Sequence, residues 1–319
     1  MAEVTQQQIE TKLKEYIDPY MDKDLVSTKS VRNIMIEGDQ VVVDVVLGFP
    51  AEGYKDALAA KLKKMVESVA GVAKARVNIS VAIQAHAVQK GVKTISGIKN
   101  IIAVASGKGG VGKSTTATNL ALALSAEGAK VGVLDADIYG PSQPRMLGIH
   151  GKPESKDGQT LEPLVSYHVQ TMSIGFLVDE ETPMIWRGPM VTQALEQLLV
   201  DTQWKDLDYL IIDSPPGTGD EPLSVAQTIP DAKAIIVTTP QEVALADVRR
   251  SIALFKKVGQ PIVGLVENMS YFLCNHSAKP IDIFGRGGGE KLSQEADIPL
   301  LGAIPLDLEL REGGDNGVP

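Results

Sequence analysis

Polar and apolar positions change period several times along the chain, and each change marks an element. Ile9, Leu13 and Ile17 recur every four residues, which predicts a short amphipathic helix over 6–17, ended by Asp18-Pro19. Two β-branched runs, 31–37 and 40–47, flank Gly38-Asp39 and predict a hairpin. Leu58, Leu62, Met65, Val66 and Val69 restore a helical stripe, closed by Gly71, and 75–83 then alternates Val77, Ile79, Val81 and Ile83 as a half-buried strand. The order α-β-β-α-β describes a small α+β domain over 1–84, with helices on one face of its sheet. Residues 85–98 lose this periodicity and carry Gly91, Ser96 and Gly97, the texture of a linker.

From residue 99 the pattern changes to short, wholly apolar runs separated by helical stretches. Residues 101–105, 130–134, 169–174, 208–213, 234–239 and 262–267 read as strands, and 116–127, the stretch through Leu199 and 245–258 read as helices. Segment 151–182 is otherwise rich in polar and turn residues. Such alternation predicts an α/β domain over 99–319, built on a doubly wound, mostly parallel sheet.

Length and composition narrow the picture. The 319 residues are enough for two well-buried cores. No apolar run reaches the length of a membrane span, and the N-terminus lacks the basic and apolar regions of a leader. A single cysteine cannot form an internal disulfide, which agrees with a reducing, cytoplasmic setting. The net charge of −9 is unevenly spread. Residues 1–90 hold twelve Lys/Arg against twelve Asp/Glu, and 91–319 hold nineteen against twenty-eight. With no basic cluster and few aromatics, neither nucleic acid nor an anionic membrane is an expected partner, because counterion release needs positive charge.

The chemistry concentrates after the first strand of the second domain, in Gly107-Lys108-Gly109-Gly110-Val111-Gly112-Lys113-Ser114-Thr115. This meets the pattern G-x-x-x-x-G-K-[ST] between a strand and a helix. A loop with little side-chain bulk can wrap its amide hydrogens around phosphate oxygens, and the helix N-terminus behind it adds partial positive charge. Lys113 is placed to meet the β- and γ-phosphates, and the Ser114 hydroxyl to ligate Mg²⁺. Asp135 and Asp137 follow the next strand, where ligands of open α/β sheets gather, so both carboxylates are expected to face the phosphates. Asp213 ends an apolar strand before the Pro/Gly-rich run Ser214-Pro-Pro-Gly217-Thr-Gly219-Asp220, a position suited to holding Mg²⁺.

The loop, with its extra Lys108, resembles the deviant Walker A ATPases of the MinD, ParA and nitrogenase-iron-protein group. That resemblance implies an ATP-sandwich homodimer in which Lys108 reaches the partner's nucleotide. It also makes Asp137 the water-orienting residue, Asp213 the Walker B carboxylate acting on Mg²⁺ through water, and 215–220 a switch. Asn268, at the end of the 262–267 strand, is implied as the adenine-binding amide, with Pro305 lining the other side of the base. From 99 onward the chain is similar to the Mrp/ApbC iron–sulfur cluster carriers, through Trp186-Arg187-Gly188-Pro189, the switch run and the stretch 267–285. Trp186 reads as a packing anchor. The run 18–27 and the loop at Phe49-Pro50 resemble the small MIP18-like domain that precedes such ATPases. The loop lacks that domain's frequent cysteine, which leaves protein contact as its expected role. Relatives usually continue beyond Pro319, so a further C-terminal segment is expected.

The resemblance departs at the cluster site. Where those carriers show C-x-x-C, this chain reads Cys274-Asn275-His276-Ser277. A dimer then offers two thiolates, with His276 as a soft neighbour and Ser277 as a harder one. A [4Fe–4S] cluster held by Cys274 with other ligands, and no stable cluster at all, both stay open. The functional expectation is an ATP- and Mg²⁺-dependent, slowly hydrolysing carrier that delivers clusters to apo client proteins and meets cluster-assembly proteins. The alternative is a MinD/ParA-type positioning switch without a cluster. A nitrogenase-like electron donor needs two cluster cysteines per subunit and is excluded by the count.

Overall fold

The computed structural model describes residues 4–86, 95–177, 188–274 and 279–319. They form two compact units, one made of the residues through 84 with the turn 126–129, the other of the remainder.

In the first unit, helix α1 (Gln6–Lys14) begins on a capping box. Thr5 Oγ1 accepts from the Gln8 N–H at 3.4 Å, and Gln8 Oε1 accepts from the Thr5 N–H at 2.9 Å. The helix stops before Ile17, which is 55% exposed; Ile9 and Leu13 alone form its buried stripe, and Tyr16 is buried in Ile17's stead. Strands β1 (Val31–Glu37) and β2 (Gln40–Leu47) make the expected hairpin, with Gly38 at φ +64° in its turn. After α2 (Lys55–Glu67), β3 (Lys74–Val81) joins β2 in parallel. Val41, Val43, Val45 and Leu47 face Ile9, Leu13, Leu58, Leu62 and Val66 across one core. Asp18 is fully buried as a loop anchor. Its Oδ1 accepts the N–H groups of Tyr20 and Met21 at 2.9 and 3.2 Å, and its Oδ2 accepts the Tyr54 hydroxyl at 2.9 Å. Burial, then the bonds to Tyr16 and Asp18, raise the Tyr54 hydroxyl far above its ordinary pKa, so it stays a donor.

The second unit is an eight-stranded sheet with helices packed on it. In chain order it runs β4 (Ile98–Ser106), α3 (Lys113–Ala126), β5 (Val131–Asp135), α4 (Gln143–Met146), β6 (Leu164–Ser166), β7 (Val169–Ser173), α5 (Gly188–Val200) and β8 (Leu207–Asp213). Next come α6 (Asp220–Thr228), β9 (Lys233–Thr238), α7 (Glu242–Val258), β10 (Ile262–Glu267), α8 (Gly288–Ala296), β11 (Leu300–Ala303) and α9 (Leu308–Asn316). The strand order is β11-β10-β9-β4-β8-β5-β7-β6, parallel except for β6, which runs antiparallel on the edge. The edge hairpin turns on Tyr167 and His168, both with positive φ (49° and 62°), a turn for which glycine or asparagine is the usual marker. One core lies among β4, β5, β8 and α5, with Leu134, Leu195, Leu207 and Leu210, and another under α7 and α8, with Ile236, Leu245, Val248 and Phe255.

The sheet positions the site through two features. The chain winds from β4 toward β5 on one side and from β8 across to β9 on the other, so β4 and β8 flank the point where the winding reverses. Ligands of open sheets bind at such a point, beyond the strand carboxyl ends. The register then sets Asp213 beside Asp135 on one side and Val104 on the other. Helix α3 begins with Lys113 at its first position. Its buried face is Lys113, Ala117, Thr118 and Ala121, while Leu120, Leu122 and Leu124 are half-buried, because only small side chains let the helix lie close to the sheet.

Candidate functional site

The loop between β4 and α3 borders a cleft of about 860 Å³. Lys108, Gly109, Gly110, Gly112, Lys113, Ser114 and Thr115 line it, together with Asp137, Ser142, Asn268 and Pro305. Gly107 and Val111 stand behind this surface. A side chain at Gly107 would meet the backbone of Asp247 and Val248 in α7 at 2.6 Å, so glycine lets α7 pack on the loop. Val111 is buried.

Lys113 sits at the centre of the site and is nearly buried. Its ammonium donates to Asp213 Oδ1 in a short ion pair, donates to Ser114 Oγ at 3.2 Å, and lies 3.9 Å from Asp137 Oδ2. Asp213 is wholly buried; its second oxygen accepts the Gln143 amide at 2.9 Å. These groups fit Mg²⁺. The donors are hard oxygens, the lysine already places a cation among them, and Ser142 Oγ is buried on the cleft wall with no hydrogen-bond partner among the described residues.

Both carboxylates after β5 were expected to face the phosphates, and only one of them lines the cleft. Asp135 is fully buried and absent from the cleft wall. Its oxygens accept the N–H groups of Asp137, Ser142 and Gln143 at 3.2, 2.9 and 3.0 Å and the Ser173 hydroxyl at 3.2 Å, so it shapes the loop. Burial and then the Asp213 carboxylate push it up to about 7, against the pull of those N–H groups and of Lys113. Asp137 alone reaches the cleft. Burial raises its pKa, the Lys113 ammonium opposes this, and the Gly140 N–H helps hold it at 3.3 Å.

Asn268 reaches the loop from the end of β10. Its Nδ2 donates to the Val111 carbonyl at 2.9 Å, and its backbone N–H donates to Thr238 at 2.8 Å. Among the described residues, one N–H and the carbonyl of its amide are left over for a ligand. A side chain at Gly112, where φ is +80°, would come within 2.1 Å of that Nδ2. Gly112→Ala should therefore lower stability by about 1–2 kcal/mol or more and loosen the loop. Gly109, with open space around it, should accept alanine within about 0.5 kcal/mol. Thermal melts without nucleotide compare the two, and equal melting points would contradict this account.

Asn268 also leads to the cysteine. Segment 268–273 runs beside 304–306, with Ser270 N–H to Ile304 at 2.9 Å and Leu306 N–H to Tyr271 at 2.7 Å. Phe272-Leu273 then pairs with Pro280-Ile281, and half-buried Cys274 lies at the end of this arm. Glu267 anchors its base through the Ser270 hydroxyl and the Gly289 N–H. His276 and Ser277, like Trp186 and Arg187, lie outside the described residues.

Two groups went unnoticed in the sequence. Gln143 stands behind Asp213, and the only local hint is the Ser142…Pro144 start signal of a short helix. Arg145 and Arg311 line the far end of the cleft, Arg311 on a helix, α9, that no periodicity announced.

Comparison with known proteins gives a consistent answer. Residues 97–319 match a family model described as NUBPL iron-transfer P-loop NTPase, and 6–79 match one described as iron–sulfur cluster assembly protein. An iron–sulfur cluster carrier protein of Escherichia coli K12 is 46% identical over 312 residues, which is 96% of this chain and 84% of that protein. The mouse iron–sulfur cluster transfer protein NUBPL is 51% identical over 229 residues, 71% of this chain and 72% of that one. Among solved structures, a nucleotide-binding protein from Archaeoglobus fulgidus in complex with ADP is 39% identical with a TM-score of 0.63, covering 70% of this chain and 88% of its own. The cell-division ATPase MinD of Pyrococcus furiosus is 26% identical with a TM-score of 0.50, covering 69% and 89%.

Proposed function

The chain belongs to the NUBPL family of ParA-type P-loop NTPases, the iron–sulfur cluster carriers, and on that premise we propose that it is a nucleotide-gated carrier of iron–sulfur clusters that hydrolyses ATP. The observation that carries the proposal is the hydrogen-bonded segment that starts at Asn268 in the nucleotide cleft and ends at Cys274. A change at the phosphate loop reaches Asn268 directly through Val111, and Asn268 shares a continuous ladder with the arm that bears the thiol.

In this reading Gly107 to Thr115 cradle the phosphates, Asn268 and Pro305 take the base, and Ser114 with Asp213 hold Mg²⁺. When bound there, the ion would neutralise phosphate charge. Lys113 leaves Asp213 for the phosphates. Asp137, held near the cleft by Gly140, orients water toward the γ-phosphate, and Lys108 completes the site of a second copy in a homodimer. The bound cluster is cargo, taken up at Cys274 and passed to apo client proteins. With two thiolates per dimer, the remaining ligands must come from other side chains or from the recipient.

Anaerobic reconstitution with iron and sulfide tests the carrier reading. The wild type should retain iron with visible sulfur-to-iron absorption, and Cys274→Ala should lose most of both. Equal, negligible iron in the two proteins sinks the carrier reading and leaves the nucleotide site untouched.

A further inference from the structure

Gln143 is one of the few fully buried polar side chains of the second unit, and every polar atom of its amide is used. Its Nε2 donates to Asp213 Oδ2 at 2.9 Å and to the Ser114 carbonyl at 3.3 Å. Its Oε1 lies 2.8 Å from the Thr118 hydroxyl, whose single proton it shares with the Ser114 carbonyl at 2.9 Å. Its backbone N–H donates to Asp135 Oδ2 at 3.0 Å. One residue thus touches the strand that ends in Asp213, the first turns of the phosphate-loop helix and the segment that carries Asp137.

The chemistry allows only this orientation of the amide. Reversed, its carbonyl oxygen would face a carboxylate oxygen and a backbone carbonyl, repelled by both. A glutamate here would add another buried negative charge beside Asp213, and an apolar side chain would leave Asp213 Oδ2 buried without a donor. With Gln143 in place the two oxygens of Asp213 have separate duties. Oδ2 is tied back into the protein, and Oδ1 pairs with Lys113, whose ammonium also donates to Ser114 Oγ.

We infer that Gln143 is a positioning residue for the metal–nucleotide complex. It fixes the Asp213 carboxylate so that one chosen oxygen faces the metal position beside Ser114, and it transmits that position to the Asp135–Asp137 loop. The inference rests on the reading of the cleft as an Mg²⁺-nucleotide site. Thr118 orients the amide, so it belongs to the same device one step further out.

Three readings of the intact protein test this. Mn²⁺ affinity is measured by electron paramagnetic resonance in the presence of ADP, ADP affinity is measured in EDTA with a fluorescent analogue, and folding is followed by thermal melts. Gln143→Met keeps the length of the side chain and removes its polar atoms. It should weaken Mn²⁺ binding roughly ten- to a hundredfold and change ADP affinity in EDTA by less than about twofold. Thr118→Val should shift Mn²⁺ affinity the same way by less, and Thr118→Ser should restore it. Wild-type Mn²⁺ affinity in Gln143→Met overturns the inference, as does an equal loss of ADP affinity in EDTA, which would mark a merely structural role. If Gln143→Met fails to fold, the Thr118 pair decides: identical Mn²⁺ affinities in Val and Ser variants also overturn it. A wild type that binds no ADP under any condition removes the underlying reading instead.

Discussion

Lys113→Ala is expected to bring ATP turnover down to background and, separately, to weaken the nucleotide-free protein. The first effect follows from the placement of the ammonium among Ser114 Oγ, Asp213 and Asp137, where the proposed reading puts the phosphate charge. Loss of one preorganised charge-stabilising donor costs about 10²–10³ in rate, and here the donor also serves in binding. The second effect follows from burial. Asp213 has no exposed surface, and with Lys113 gone its side chain keeps, among the described residues, only the neutral amide of Gln143. Removing one partner of a buried ion pair typically costs about 3–5 kcal/mol, which a melt in EDTA registers as a clear fall in midpoint. Mg²⁺ with ADP should recover part of that loss, because the metal supplies the missing positive charge. Normal turnover in Lys113→Ala would remove the site assignment. An unchanged melt would show that the lysine does not neutralise Asp213 in the resting protein.

The same ion pair bears on the order of events. Lys113 pairs with Asp213 Oδ1 and reaches Ser114 Oγ, two oxygens that a metal would need, so in the proposed reading phosphate that draws Lys113 away would open them to Mg²⁺. Metal and nucleotide therefore bind cooperatively in this account. That coupling is carried by one flexible side chain and does not require the strands to move.

How much of this could be read before the fold was seen depends on how local each feature is. The phosphate loop was legible because its chemistry sits in nine consecutive residues and its physics is that of backbone amides. The buried parallel strands were legible because each is a contiguous apolar run, and the β1–β2 hairpin because Gly38 marks its turn. That Asp135 turns away from the cleft while Asp137 lines it was not. Two residues apart on one strand end, they are told apart only by donors from Ser142, Gln143 and Ser173. Gln143 was invisible for the same reason, since its partner Asp213 lies seventy positions away in the chain. Edge strand β6 was missed because Tyr167 and His168 occupy the positive-φ positions of its turn. The buried face of helix α3 was not legible, because close approach to the sheet selects Ala117, Thr118 and Ala121 over its leucines.

Lys108 separates action within a subunit from action across a pair. It lines the cleft, half-buried, and makes no ion pair among the described residues; Ser106 Oγ holds its backbone carbonyl at 2.9 Å. Lys108→Ala and Asp137→Ala should each bind ATP and each fail to hydrolyse it, the first for want of a lent charge and the second for want of the residue that orients water. Mixing them is the informative step. If the lysine serves the neighbour's nucleotide, a mixed pair contains one site with an intact Asp137 from one copy and an intact Lys108 from the other. Random pairing in a two-fold dimer then restores about one quarter of wild-type turnover. If the lysine serves its own nucleotide, every site in every pairing lacks one group and the mixture stays silent. Recovery that grows with total protein concentration would further require that two chains meet for each competent site, whereas activity already present in Lys108→Ala alone would leave the second lysine of the loop without a catalytic duty.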